Sequence, residues 1–133
     1  MQAELRVVVE NDSDIVDARQ KGRQLAAANG FSSTDQTLIA TAISEIARNI
    51  VTYAQRGEVE LGVLQENGRT AIVVVARDQG PGIADTDLAM RDGYSTQKSL
   101  GVGLPGARRL MDEFELVSAP GKGTAITMKK WRR

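Results

Sequence analysis

Asn67-Gly68 stands between two runs of β-forming residues, with Val59, Leu61 and Val63 before it and Ile72 to Val75 after it. A two-residue turn that accepts positive φ at both positions makes the flanking segments pair as an antiparallel hairpin. A hairpin alone buries too little to persist in water, so an apolar face from elsewhere in the chain must cover it. The preceding segment supplies one. Leu38, Ile39, Ala42, Ile43, Ile46, Ala47 and Ile50 recur at helical intervals to about Ala54, behind Ser33 and Gln36 at capping-box spacing. Ile15, Val16, Ala18, Leu25 and Ala26 form a more broken stripe between Asn11-Asp12-Ser13 and Gly30. That stripe predicts an earlier helix, begun by the capping cluster and stopped by a C′ glycine. Leu5 to Val9 reads as a first strand.

Arg56-Gly57 is expected to close the second helix. Beyond the hairpin, Asp78 to Gly106 is polar and glycine-rich, too long for an ordinary connection, and such loops carry function. A helix is predicted from about Leu104 to Glu113, then strands over Phe114 to Ser118 and Thr124 to Met128, joined by Pro120-Gly121-Lys122-Gly123. The order β, α, α, β, β, long loop, α, β, β predicts a two-layer α/β sandwich, a mixed, mostly antiparallel sheet with helices on one face. The 133 residues fit one domain over 1–133, with no internal repeat or linker.

The chain has no cysteine and no histidine. Disulfides, thiolate metal sites, thiol nucleophiles and storage of phosphate on a histidine of this chain are thereby excluded. Chemistry must run on carboxylates, amides, hydroxyls, Lys and Arg. Lys plus Arg number 17 and Asp plus Glu 17, so no whole-molecule field attracts nucleic acid or an anionic membrane. Met1 to Val9 lacks the pattern of a signal peptide, and the longest apolar run, Ala71 to Ala76, is far below the roughly 20 residues that span a bilayer. A cytoplasmic protein is expected.

Four segments can carry chemistry. In Ser44-Glu45-Ile46-Ala47-Arg48-Asn49, Glu45 and Asn49 are offset by only about 40° around the helix, so a carboxylate and an amide point into one space. An amide oxygen is a hard neutral ligand for Mg²⁺, and a carboxylate beside it can take a proton from a hydroxyl. The same spacing also fits a solvated polar face. Asp78-Gln79-Gly80-Pro81-Gly82-Ile83 leaves a strand and turns on two glycines, where a flat ring can approach and the Asp78 carboxylate can accept from an adenine amino group; a plain tight turn fits as well. Gly101-Val102-Gly103-Leu104-Pro105-Gly106 opens a helix, whose backbone N–H groups and dipole attract phosphate. No Lys-Ser or Lys-Thr closes it, so it is not a Walker loop. Gly121-Lys122-Gly123-Thr124, by itself, is a hairpin turn.

In this order and at these distances the segments resemble the N, G1, G2 and G3 boxes of the superfamily of gyrase, the heat-shock chaperone ATPase, MutL-type mismatch-repair ATPases and histidine kinases, known as the GHKL or Bergerat fold. Within it the chain looks most like the RsbT-type serine/threonine switch kinases of the stressosome. The likeness rests on Ser44 to Asn49, Asp78 to Ile83, Asp92-Gly93-Tyr94-Ser95-Thr96, Gly103 to Gly106 and Arg109-Leu110-Met111-Asp112-Glu113-Phe114. It implies an ATP-dependent protein kinase in which Asn49 holds Mg²⁺, Glu45 is the base, and Asp78, Gly80 and Gly82 seat adenine. It further implies that Gly101 and Gly103 cradle phosphates, that Thr124 assists adenine binding through water, and that Gly93 to Leu100 lie in a lid. Lys98 in that lid is the candidate cation for the γ-phosphate. Implied substrates are STAS-domain proteins (sulfate transporter and anti-sigma antagonist), the stressosome scaffold and antagonist, with a downstream phosphatase or other output enzyme as a further partner. Related anti-sigma kinases often carry His four residues after the Mg²⁺ asparagine, where this chain has Tyr53.

Two rival readings compete. An ATP-driven conformational module of the gyrase or chaperone kind would need a second domain, yet only Trp131-Arg132-Arg133 follow the strand segment. An anti-sigma factor kinase that sequesters a sigma factor is the other alternative.

Overall fold

The hairpin around Asn67-Gly68 forms the middle of a five-stranded sheet. The computed structural model describes residues 2–80 and 103–133. Its elements are β1 (Gln2–Val9), α1 (Asp12–Ala28), α2 (Ser33–Tyr53), β2 (Gly57–Glu66), β3 (Arg69–Asp78), α3 (Gly103–Leu110), β4 (Glu113–Ser118) and β5 (Thr124–Trp131). The strands lie in the order β1-β2-β3-β5-β4, and every pairing among the described residues is antiparallel. The order of elements and the two-layer α/β sandwich match the expectation.

Asn67 and Gly68 take φ of 54° and 76°, as a primed turn needs, and this pins the register Val63↔Ile72 and Leu61↔Val74. The register puts Val59 and Leu61 of β2, Ile72, Val74 and Ala76 of β3, and Ile126 and Met128 of β5 on one buried face. Ile39, Ile43, Ile46 and Ile50 of α2 belong to the same core. Each such side chain contributes about 1.5–3 kcal/mol on burial. α1 packs on α2 and β1, and α3 packs on α2. Among the described residues no helix is long and apolar enough to cross a membrane.

Boundaries shift where tertiary contacts outweigh local signals. Asn11 caps α1, its side chain accepting from the Asp14 N–H at 3.0 Å, and Gly30 follows the helix at φ 81°. At α2 the cap is Ser32, whose Oγ accepts from the Asp35 N–H at 3.1 Å, and not Ser33. Phe31 is buried in the core and Gln36 donates back to its carbonyl at 2.9 Å, which fixes the chain's entry one residue earlier. The stop after α2 is Gln55, at φ 70°, whereas Gly57 already belongs to β2. α3 ends at Leu110, because the Asp112 N–H donates to the Lys129 carbonyl and its carboxylate accepts from the Trp131 N–H, drawing residues 112 and 113 to β5. β5 itself runs past Met128 to Trp131.

Candidate active site

The register of the whole sheet lines up one transverse row: Val9↔Gly57, Gly57↔Asp78, Asp78↔Thr124 and Thr124↔Ser118. Each is the first or last residue of its strand, so the row forms one lip of the sheet. Side chains alternate along a strand, which places Asp78 with Ala76 and Thr124 with Ile126 on the helix side. Both are buried, at 9% and 8% exposure.

Asp78 Oδ1 accepts from the Gly80 N–H at 2.9 Å, so the carboxylate folds over the turn that leaves β3. A Cβ at Gly80 would lie 2.6 Å from the Ala54 Cβ, which shows the turn resting on the end of α2. Gly123, at φ 76°, lies against the backbone of Asp78, and a Cβ there would overlap the Asp78 carbonyl. Two segments 45 residues apart in sequence are thus held together because neither contact leaves room for a side chain. Thr124 Oγ1 lies 2.8 Å from Ser118 Oγ, and Ser118 Oγ donates to the Gly123 carbonyl at 2.9 Å.

α2 supplies the other half of the site. Glu45 is 7% exposed. Its Oε2 accepts from the Gly103 N–H at 3.0 Å, and its Oε1 pairs with Arg48 at 3.0 Å. Gly103, at φ 65°, is the first residue of α3, so a carboxylate sits at a helix N-terminus where the dipole favours negative charge. The Arg48 side chain is 44% exposed, so its ion pair orients Glu45 more than it stabilises the fold. Asn49 lies one turn beyond Glu45, half-buried.

Of the residues singled out in the sequence, Glu45, Asn49, Asp78, Gly80, Gly103 and Thr124 are described. The structure joins Glu45 to Gly103 directly and sets Asp78 beside Gly80 and Thr124. Gly82, Lys98 and Gly101, with the lid expected over residues 93–100, lie outside the described residues. Among the described residues no group of three or more His, Cys, Asp or Glu could hold a metal ion. The donor set on α2 is one neutral amide oxygen beside one carboxylate. It fits Mg²⁺, which takes few protein ligands and completes its shell with phosphate oxygens and water. Sequence reasoning missed Ser118 and Ala54. Ser118 had a signal, since a hydroxyl stands at each end of the loop from 119 to 123 and the hairpin pairs them; Ala54 carries none, because only tertiary packing brings Gly80 onto it.

Residues 9–130 match the family model described as a histidine kinase-like ATPase domain. The chain is 51% identical over 120 residues to a protein of Bacillus subtilis named serine/threonine-protein kinase RsbT, covering 90% of each. It is 31% identical over 99 residues to an anti-sigma F factor of Caldanaerobacter subterraneus, covering 70% of this chain and 68% of that one. Among solved structures, one of the RsbU and RsbW domains of a Mycobacterium tuberculosis protein superposes with TM-score 0.63 at 19% identity, over 97% of this chain and 33% of that one. A mycobacterial sensor histidine kinase, MprB, superposes with TM-score 0.58 at 16% identity, over 97% of each. These two likenesses concern the fold.

Proposed function

This chain belongs to the histidine kinase-like ATPase domain family, and from that premise we propose that it is a cytoplasmic, ATP- and Mg²⁺-dependent serine/threonine protein kinase. Its substrates are STAS-domain partners in a stress-signalling switch, and it then engages a downstream phosphatase or other output enzyme. The observation that carries this reading is the hydrogen bond from the Gly103 N–H to the buried Glu45 carboxylate. The group assigned to acceptor chemistry touches the backbone assigned to phosphate, a contact that a solvated helix carboxylate would not make.

In this reading Asp78 accepts from the adenine amino group, with Gly80 and Gly82 giving the ring room and Thr124 supporting it through water. The N–H groups of Gly101 and Gly103 are assigned to the phosphates, the Gly103 N–H exchanging its bond to Glu45 for a phosphate oxygen when nucleotide binds. Lys98 is assigned as the cation for the γ-phosphate. Mg²⁺, held by Asn49 with phosphate oxygens and water, would offset the charge on the transferring group. Glu45 takes the proton of a serine or threonine hydroxyl as that oxygen bonds to the γ-phosphorus and the bond to the β–γ bridging oxygen breaks. With no histidine in the chain, the phosphoryl group passes straight to the partner.

The test incubates the protein with labelled ATP, Mg²⁺ and either an intact STAS-domain partner or a short peptide carrying its acceptor residue. Acid-stable phosphate on the intact domain and far less on the peptide is expected, because a neutral chain with 4% aromatic residues offers few side chains to grip a short linear motif. Acid-labile phosphate, or equal labelling of both, overturns the reading. A pull-down that captures a sigma factor and no STAS domain would favour the anti-sigma alternative.

A further inference from the structure

We infer that Ser118 is a specificity-determining residue: it orients the Thr124 hydroxyl as an acceptor, so that the purine bound beside Asp78 must present a donor at position 6. This deepens the proposed function and rests on its assignment of Asp78 and Thr124 to the base.

The argument is one of proton order. Ser118 Oγ lies 2.9 Å from the Gly123 carbonyl oxygen and 2.8 Å from Thr124 Oγ1. A carbonyl only accepts, and a serine hydroxyl has one proton. Both contacts are hydrogen bonds in only one arrangement, with Ser118 donating to Gly123 and Thr124 donating to Ser118. The Thr124 proton then points along the sheet toward β4, and its oxygen has only its two lone pairs to offer a ligand. Its neighbour across the ladder is Asp78, which when ionised has no donor either. Two adjacent buried groups therefore form a wall of acceptors. An exocyclic amino group complements that wall, whereas a carbonyl oxygen sets acceptor against acceptor. A bridging water keeps the polarity, because it gives its protons to Asp78 and Thr124 and turns a lone pair to the ligand. The geometry follows from the hairpin: Ser118↔Thr124 is the pair that closes β4 onto β5.

The test compares ATP with ITP, which carries a carbonyl oxygen in place of the amino group and a proton on N1, by calorimetric titration. The parent should prefer ATP. In Ser118→Ala the Thr124 hydroxyl can rotate and donate, so ITP should tighten and the ATP-to-ITP preference should narrow by about 3- to 10-fold, the scale of one hydrogen bond. ATP affinity itself should hold within about 2-fold, and Ser118→Thr should restore the parent preference. Thr124→Val, which removes the acceptor, should weaken ATP and leave ITP unchanged, and it decides the matter if Ser118→Ala does not fold. A merely structural role for Ser118 would weaken both nucleotides alike. An unchanged preference in Ser118→Ala, with the parent still favouring ATP, overturns this inference and leaves the nucleotide assignment standing. No preference in the parent overturns both.

Discussion

The two lips of the sheet are built from similar residues to opposite ends. At the far lip, where β5 finishes, polar groups satisfy one another. Asp112 accepts from the Trp131 N–H at 2.8 Å and from Arg133 at 2.7 Å, and Lys130 donates to the Leu110 carbonyl at 2.9 Å. The Trp131 indole donates to Glu113 at 2.7 Å under the Arg69 guanidinium, and Arg132 donates to the Asn29 carbonyl at the end of α1 at 2.8 Å. At the other lip the chain is held by register and by glycines that leave no room, and Asp78 and Thr124, the residues assigned to the base, are buried there. The far lip pairs its charged side chains with one another, whereas at the site lip the carboxylates of Asp78 and Glu45 accept from backbone N–H groups and keep further lone pairs.

The sharpest break in that contrast is Gly123→Ala. A side chain there must adopt φ 76° and meet the Asp78 carbonyl, so a loss of roughly 2–5 kcal/mol in denaturant unfolding is expected, together with loss of ATP binding. Gly121→Ala, at φ 74° in the same turn but with nothing within 4 Å, should cost only about 1–2 kcal/mol and leave binding intact. Equal effects at the two positions would show that the close approach to Asp78 is not what builds the lip.

Glu45→Gln comes next. The amide keeps an oxygen for the Gly103 N–H but does not take up a proton, so phosphoryl transfer should fall by about 10² or more while ATP affinity stays within a few-fold. Loss of affinity with an unchanged rate per bound nucleotide would remove Glu45 from acceptor chemistry. A smaller change is expected for Asp78→Asn. It should lower ATP affinity about tenfold and blur the preference over GTP in calorimetry, since GTP presents a carbonyl where ATP has the amino group. Equal affinities of the parent for ATP and GTP would count against Asp78 as the reader of the base.

The smallest effect belongs to the far lip. Burial pushes the Asp112 carboxyl up, but the Trp131 N–H, the Arg133 side chain and the charges of Lys130 and Arg133 outweigh it and hold it below the ordinary 3.8. Folded Asp112 therefore binds a proton less readily than unfolded, so its contribution to stability is complete above about pH 3.8 and is lost as pH falls through the lower folded value. In Asp112→Asn the acid limb of the stability curve should flatten, and ATP affinity at neutral pH should not change. A change in affinity would mean that the two lips communicate.

Most of this architecture was legible in the residues. Asn67-Gly68 announced the central hairpin, the isoleucine stripe announced α2, and Asn11 announced the start of α1, because each signal acts within a few residues of itself. Errors arose where a distant partner decided. Ser33 and Gln36 had capping-box spacing, yet burial of Phe31 moved the cap to Ser32. The last strand was expected to stop at Met128, yet β5 runs on to Trp131, and Lys130 within it is buried and bonded to the end of α3. In the site, helical periodicity was enough to put Glu45 and Asn49 on one face of α2. That Glu45 would touch Gly103, 58 residues on, depends on the packing of α3 against α2 and left no trace in local spacing. Ser118 was read only as the end of a strand, because its partnership with Thr124 exists only once the hairpin registers.

The row from Val9 through Gly57, Asp78 and Thr124 to Ser118 also governs how the molecule opens. Strand ends fray first, at a small fraction of the free energy that opens the core. Here five ends terminate on one line, and Asp78 and Thr124, assigned to the base, sit on two of its three interior strands. A nucleotide bound at Asp78 and Thr124 as proposed would therefore quiet the lip from its middle outward, and amide hydrogen exchange should slow in strands that the ligand never touches.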